Sequence, residues 1–257
     1  MNLGDGLGVV LLDVPGAPYF YGAVQVLEQL CPARVVLVVR GEVVDGDRLC
    51  EAYPGLEVVV HPIYEVLSVT LNRVVQDLAV DLVFFWDPNV LVHGLDWDGV
   101  LAVLGDVVGF EVRRLVWEEF VLLGDMAGVP YAVFDAMLVR RSAFLDVGGW
   151  DPLMMPVFGG DVALGFRMAR AGFHVVVSDV VIFHRKELSV WERELPLDYC
   201  RQMRLRNAYL IFWEFERGGM AWIWHVLGTL FRCLTFQIAH FRAVIKALWV
   251  VFMRVIS

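Results

Sequence analysis

Short apolar runs alternate with amphipathic stretches through the first three-quarters of the chain, and their spacing predicts the order of elements. Val9 to Leu12 reads as a strand, a loop bearing Pro and Gly runs through Pro18, and Tyr19 to Leu30 has helical periodicity. Val35 to Val39, Glu57 to Val60 and Leu82 to Trp86 are further apolar runs bounded by charge, Gly or Pro, and Leu67 to Leu78 is helical between the last two. Continuous apolar strands alternating with helices predict a mostly parallel sheet covered on both faces, with ligands gathering beyond the strand carboxyl ends. The loop Asp87-Pro88-Asn89 lies at such an end.

A second half follows, with strands expected at Gly105 to Phe110, Ala132 to Val139 and Val175 to Phe183, the last ending at His184. Gly148-Gly149-Trp150-Asp151 is a turn, since glycine permits positive φ and aspartate tolerates turn geometry. A helix should begin near Asp161 and stop at Ala171-Gly172, which places Asp161 at or near the N-cap. The sheet is then mixed, and the fold class is α/β. The character of the sequence changes around Glu192 to Pro196, dividing the chain into a body, 1–195, and a C-terminal helical segment, 196–257.

From Gly218 onward the sequence is dominated by large apolar residues, but basic residues interrupt it before any run reaches the ~20 residues of a spanning helix. Wound at about 100° per residue, Arg217, His225, Arg232, His240, Arg242, Lys246 and Arg254 fall within an arc of roughly 160°, opposite an apolar face. That pattern suits a helix lying in an anionic membrane interface. Docking on the body, or against a second copy in a homo-oligomer, is the alternative.

Charge sharpens this division. The chain of 257 residues has a net charge of -9, which argues against nucleic acid as a partner because phosphate neutralisation needs a basic surface. The cations concentrate after residue 200, so body and tail should face different surroundings. Cys31, Cys50, Cys200 and Cys233 lack metal-site or disulfide spacing, and the first residues lack a basic leader region. Together these predict reduced thiols and a protein on the cytoplasmic side, peripheral to the inner face of the membrane.

Three positions carry candidate chemistry. Asp161 has two readings, a helix cap satisfying free N–H groups or a reactive carboxylate. Asp87 and Asn89 are good turn formers, and are also oxygen ligands of the kind that suits Mg2+ or Mn2+ on a diphosphate. His184 is either an ordinary strand-end histidine or a nitrogen ligand.

The stretch FDAMLVRRSAFLDVGGWDPLMMPVFGGDVALGFRMARAGFHVVVSDVVIFH resembles the acceptor-side half of family 2 glycosyltransferases of the inverting GT-A type, bacterial rhamnosyl- and galactofuranosyl-transferases among them. Weaker similarity runs from about Val9 to Val90, so the resemblance spans roughly residues 8 to 190. It implies a Rossmann-like mixed sheet flanked by helices, a nucleotide-sugar donor, a glycan or lipid-linked acceptor, and Mn2+ or Mg2+. By motif it implies Asp161 as general base, Asp87, Asn89 and His184 as metal ligands, Asn72 near the donor, and Trp150 and Asp151 near the acceptor, where a buried aromatic and a turn cap are the alternatives. Arg167 is expected to support the helix.

The sequence departs from that pattern on the donor side and around Asp161. Asn89 stands at the second acidic position of the D-x-D, Gly160 precedes Asp161, Ala163 follows two places after it, and Arg40 occupies the place of an aspartate after the second strand. An amide oxygen ligates a divalent ion without supplying charge. Three functional readings follow: an active transferase working at the membrane surface, a catalytically impaired homologue acting there as a binding or assembly partner, and a membrane-associated assembly protein that binds no sugar.

Overall fold

The chain was analysed as a computed structural model that describes residues 6–12, 20–40, 51, 53–62, 65–87, 90–91, 107–115, 122–123, 125–126, 129–130, 136–154, 159–185, 196, 199, 202–203, 206–211, 227, 242 and 244–249. Its elements are β1 (Leu7–Leu12), α1 (Phe20–Leu30), β2 (Arg34–Arg40), β3 (Leu56–His61), α2 (Leu67–Asp77), β4 (Leu82–Trp86), β5 (Val90–Leu91), β6 (Val107–Leu115), β7 (Leu122–Leu123), β8 (Asp125–Met126), β9 (Val129–Pro130), β10 (Ala136–Arg140), α3 (Arg141–Asp146), α4 (Gly160–Arg170) and β11 (Val175–Arg185). The mixed α/β architecture expected from the alternation of elements is the one observed.

The principal sheet has the order β3-β2-β1-β4-β10-β6-β11-β5, with β7 beside β6. Strands β3, β2, β1 and β4 are mutually parallel, whereas β10 runs antiparallel between β4 and β6. Four parallel strands thus end on one edge, and β4 is the last of them. Side chains alternate across the pleat. Val9, Leu11, Val35, Leu37, Phe84 and Leu138 face one core with α1, while Val10, Val36, Val83, Phe85, Met137 and Val139 face the other with α2 and α3. Both faces are covered, which explains why these strands read as unbroken apolar runs.

Helix α2 lacks basic residues in its own last turn. Two guanidinium groups from neighbouring elements supply that charge: Arg141 donates to the carbonyls of Val75 (2.9 Å) and Gln76 (2.7 Å), and Arg34 to that of Asp77 (2.9 Å). Cations at a helix C-terminus meet the negative end of its dipole and its open carbonyls.

Helices α3 and α4 end alike. Gly148 (φ 81°) and Gly172 (φ 83°) are left-handed, and the residues after them donate back five positions, Gly149 to Phe144 (2.8 Å) and Phe173 to Met168 (3.0 Å). This is the Schellman closure that glycine favours.

The C-terminal segment joins the body. Tyr209, Leu210, Ile211 and Ala247 are buried in the same cluster as β1, β2 and β4. Among the described residues no helix is long and apolar enough to cross a membrane. Of the cations assigned to the amphipathic arc, Arg242 and Lys246 are exposed, whereas Arg217, His225, Arg232, His240 and Arg254 lie outside the described residues.

Candidate active site

The parallel edge ends in a tight turn at β4. The Val90 N–H donates to the Asp87 carbonyl (2.8 Å), and Trp86 Nε1 donates to the Val90 carbonyl (3.0 Å). These bonds fold the chain back at once, and Asp87 is buried at the strand end, only 6% exposed. Strand β5 then pairs antiparallel with β11, setting His184 opposite Val90. The main chain at His184 therefore lies beside that of a residue three positions past Asp87, although the two side-chain types are nearly a hundred residues apart in sequence. Asn89 lies outside the described residues, as does the side chain of His184.

Asp161 occupies the first turn of α4. The N-cap is Gly159, not Asp161: its φ of 110° is a left-handed value that favours glycine, and a Cβ there would come within 2.9 Å of Ile211 Cδ1. Asp161 is the second helical residue, half-buried, and its Oδ1 accepts the N–H of Val162 at 2.9 Å. Its carboxylate thus bonds a first-turn N–H from inside the helix rather than from the cap position. Its negative charge sits at the favourable end of the helix dipole.

The turn from Val147 to Asp151 is fastened from two sides. From α4, Arg167 donates to the carbonyls of Val147 (2.8 Å) and Gly149 (2.6 Å). From α2, the Asn72 amide brackets Trp150, donating to its carbonyl and accepting its N–H, both at 2.8 Å. Gly149 has φ 65°, and a Cβ would collide with Asn72 Oδ1 and lie 2.9 Å from Phe144 Cε1. The close approach of the amide to the turn thus requires glycine at this position. Arg167 has the supporting role expected of it, and Asn72, assigned to the donor by motif, spends its amide on main-chain bonds to the turn.

Trp150 departs from its expected place at the acceptor. Its side chain is fully buried, edge-on to Phe85 (5.4 Å between centroids, 78°) and to Phe144 (5.8 Å, 67°). An enclosed ring offers no open face for stacking on a sugar, so the aromatic here serves the core. Asp151 is half-buried and its Oδ1 accepts the Leu153 N–H at 2.9 Å, the turn-closing bond typical of aspartate.

One polar cluster escaped the sequence reading. His61, at the carboxyl end of β3, is buried with its Nδ1 2.8 Å from Thr70 Oγ1, and Thr70 donates to Glu65 (2.7 Å). Because the hydroxyl proton goes to Glu65, the Thr70 oxygen acts as acceptor toward His61, which assigns the proton to Nδ1. The Thr70 bond holds the Glu65 carboxyl below the ordinary glutamate range, with Arg73 assisting. His61 stands in register with Arg40 on the neighbouring strand. Only the pattern of one histidine ending an apolar run signalled it, and nothing in the sequence linked it to Thr70.

Among the described residues no group of three or more His, Cys, Asp or Glu side chains is arranged to hold a metal ion. The donor set carried by Asp87, Asn89 and His184 is nevertheless of the hard oxygen and imidazole kind that suits Mg2+ or Mn2+, and the β5–β11 register brings the strand of His184 to the turn of Asp87.

No protein-family model and no curated protein sequence matches the chain. Solved structures do resemble it in fold. GalNAc-T7, crystallised with UDP, GalNAc and Mn2+, superposes with a TM-score of 0.61 at 12% identity over 80% of this chain; the match spans about half of that longer chain, 47%. The mannosyltransferase PcManGT from Pyrobaculum calidifontis, in complex with GDP-Man and Mn2+, gives 0.57 at 16% identity, covering 95% of this chain and 87% of its own. Glucosyl-3-phosphoglycerate synthase from Mycobacterium tuberculosis, in complex with UDP, gives 0.54 at 15%, covering 84% and 82%. The fold is that of GT-A glycosyltransferases.

Proposed function

We propose that the protein is an inverting glycosyltransferase that moves a hexosyl or deoxyhexosyl group from a nucleotide-sugar donor to a hydroxyl of a glycan or lipid-linked acceptor, in the synthesis of cell-surface glycans. The observation that carries this reading lies at the end of β4 in a GT-A sheet: the buried Asp87 ends the strand, and Val90, three positions on, stands in register with His184 of β11. The solved structures of like fold include complexes with UDP or GDP-Man together with Mn2+.

Asp161 is the general base. It accepts the proton of the acceptor hydroxyl as that oxygen attacks the anomeric carbon from the face opposite the leaving group. The new carbon–oxygen bond forms as the bond to the diphosphate breaks, and its electron pair leaves with the nucleoside diphosphate. Asp87, Asn89 and His184 would hold Mn2+ or Mg2+, which when bound offsets charge on the diphosphate. The Arg167 and Asn72 bonds fix the turn on the acceptor side, where Asp151 is the remaining polar candidate for a sugar hydroxyl. The basic segment after residue 200 holds the protein peripherally on the inner face of a membrane.

The test is donor turnover with Mn2+ and UDP- or GDP-sugars. Asp161→Asn should lower transfer by about 10²- to 10⁴-fold, the usual worth of a general base, while leaving the thermal unfolding curve unchanged. Undiminished transfer would remove Asp161 from that role. The second reading, a catalytically impaired homologue acting as a binding or assembly partner at the membrane, draws on Asn89, Gly160 and Arg40; it gains if nucleotide binds without turnover.

A further inference from the structure

The helical residues 244–249 present two different apolar faces. At about 100° per residue, Val244 and Ala247 fall together and turn toward the body, where Ala247 is fully buried and Val244 packs beside the core. Ile245 and Trp249 lie about 160° from Ala247 and Leu248 about 100° from it, so the three share an arc of about 100° turned away from Ala247, and they are 50%, 63% and 50% exposed respectively. The three large side chains are half or more exposed, although the small residues of the same helix are seated in the body. Such a cluster on a protein surface marks an interaction site.

Charge identifies its partner. Arg242 and Lys246 are exposed and, on the same winding, flank the outward apolar strip on one side. Residues 201–257 carry eight Lys or Arg against two Glu, in a chain whose net charge is -9. A cationic flank beside Trp, Leu and Ile complements an anionic bilayer interface, which takes the apolar side chains below its headgroups and pairs the cations with lipid phosphates. Beside this strip lies an open groove of about 450 Å³ between Tyr199 and Met203 on one side and Ile245 and Trp249 on the other. Lys246 spans it, donating to Gln202 (2.9 Å) with its ammonium 5.8 Å from the Tyr199 ring centroid.

We infer that Ile245, Leu248 and Trp249 are the side chains that enter an anionic bilayer, with Arg242 and Lys246 on the lipid phosphates. This rests on the membrane reading above and specifies the face through which it acts. The same surface is braced to the acceptor side of the site: Arg206, which lines the groove, donates to the Leu153 carbonyl, and Asn207 Nδ2 donates to that of Met154 (2.6 Å). Both carbonyls immediately follow the Trp150-Asp151 turn, so bilayer contact fixes that turn relative to the membrane.

Co-sedimentation of the full chain with phosphatidylglycerol-containing vesicles and with pure phosphatidylcholine vesicles tests it. The wild type should bind the anionic vesicles and lose binding as salt rises. The triple variant Ile245→Ser, Leu248→Ser, Trp249→Ser should bind them at least tenfold more weakly with unchanged unfolding, since all three side chains are exposed. If the wild type binds and the triple variant binds equally, the assigned face is wrong while the membrane reading stands. If the wild type binds neither vesicle, both fail. If the triple variant instead converts a wild-type dimer to monomer without any vesicle binding, the face is a self-association surface and the inference is overturned.

Discussion

The two sides of the proposed site are held by different means. On the acceptor side, four hydrogen bonds of 2.6 to 2.8 Å from Arg167 and Asn72 reach the main chain of one short turn, and two left-handed glycines let the turn approach them. On the donor side, the tight turn after Asp87 and the pairing of β5 with β11 set the main chain of Val90 beside that of His184. Side chains that bond main-chain groups fix a shape and leave the residues within it free to vary; a register fixes positions and leaves the ligand chemistry to the residue types. The acceptor side is therefore specified by geometry, and the donor side by composition, which is where Asn89 and Arg40 stand.

The sharpest way to break this contrast is to release the turn. Asn72→Leu strands both polar groups of the Trp150 main chain beside a fully buried ring and should cost about 2 to 4 kcal/mol, since an unmade buried bond costs about 1–3 each. Urea unfolding would measure it, and a loss below about 0.5 kcal/mol would show that the amide does not hold the turn. Gly149→Ala attacks the same contact from the other partner and should cost at least 1 kcal/mol through its positive φ and the collision with Asn72. Since both act on one contact, the double variant should lose less than the sum.

On the donor side the expected response is smaller and opposite in sign. Asn89→Asp adds a charge to a composition-limited site and should tighten Mn2+ binding in the presence of UDP or GDP several-fold by calorimetry. No response would make position 89 a turn residue only.

The smallest effect lies away from both. Arg34 bonds both oxygens of Glu57 (2.8 and 2.6 Å), and this hydrogen bonding holds the Glu57 carboxyl below its ordinary range, as Thr70 does for Glu65. Groups with lowered folded-state pKa stabilise above their unfolded value, about 4.3, and that contribution disappears as the pH falls through the folded one. Melting temperature should thus drop below about pH 4.3, and Glu57→Gln should flatten the drop slightly, because the pair is half-exposed and screened.

What the sequence disclosed depended on range. Strand β4 was delimited at Leu82 to Trp86 because a fully buried strand is apolar throughout, and charge stands before it. Strand β6 runs to Leu115, beyond the expected end at Phe110, because Glu111, Arg113 and Arg114 interrupt its apolar character. Helix α3, of six residues, is too short to show a period. Helix α4 begins at Gly160, next to the Asp161 that residue type points to, and its cap, Gly159, needs a backbone angle that only glycine reaches readily. Motif resemblance puts Trp150 near the acceptor, with a buried aromatic as the alternative; the ring partners that hold it in the core, Phe85 and Phe144, come from β4 and α3. The Asn72–Trp150 bonds span 78 positions and the Arg141–Val75 bond 66, distances over which no local pattern carries information.

The left-handed Gly159 has a consequence for how the chain can be divided. The space its missing Cβ would occupy belongs to Ile211, and Asn207 lies beside it. The start of the helix that bears Asp161 is thus roofed by residues from beyond position 195, and Tyr209, Leu210 and Ile211 complete the core below. A chain shortened to residues 1–195 would keep every proposed catalytic group and every strand of the principal sheet, yet expose apolar core and uncover the first turn of that helix. The C-terminal segment borders the helix start that carries Asp161, so, on the proposed function, exchanging it between related proteins would alter transfer as well as membrane contact.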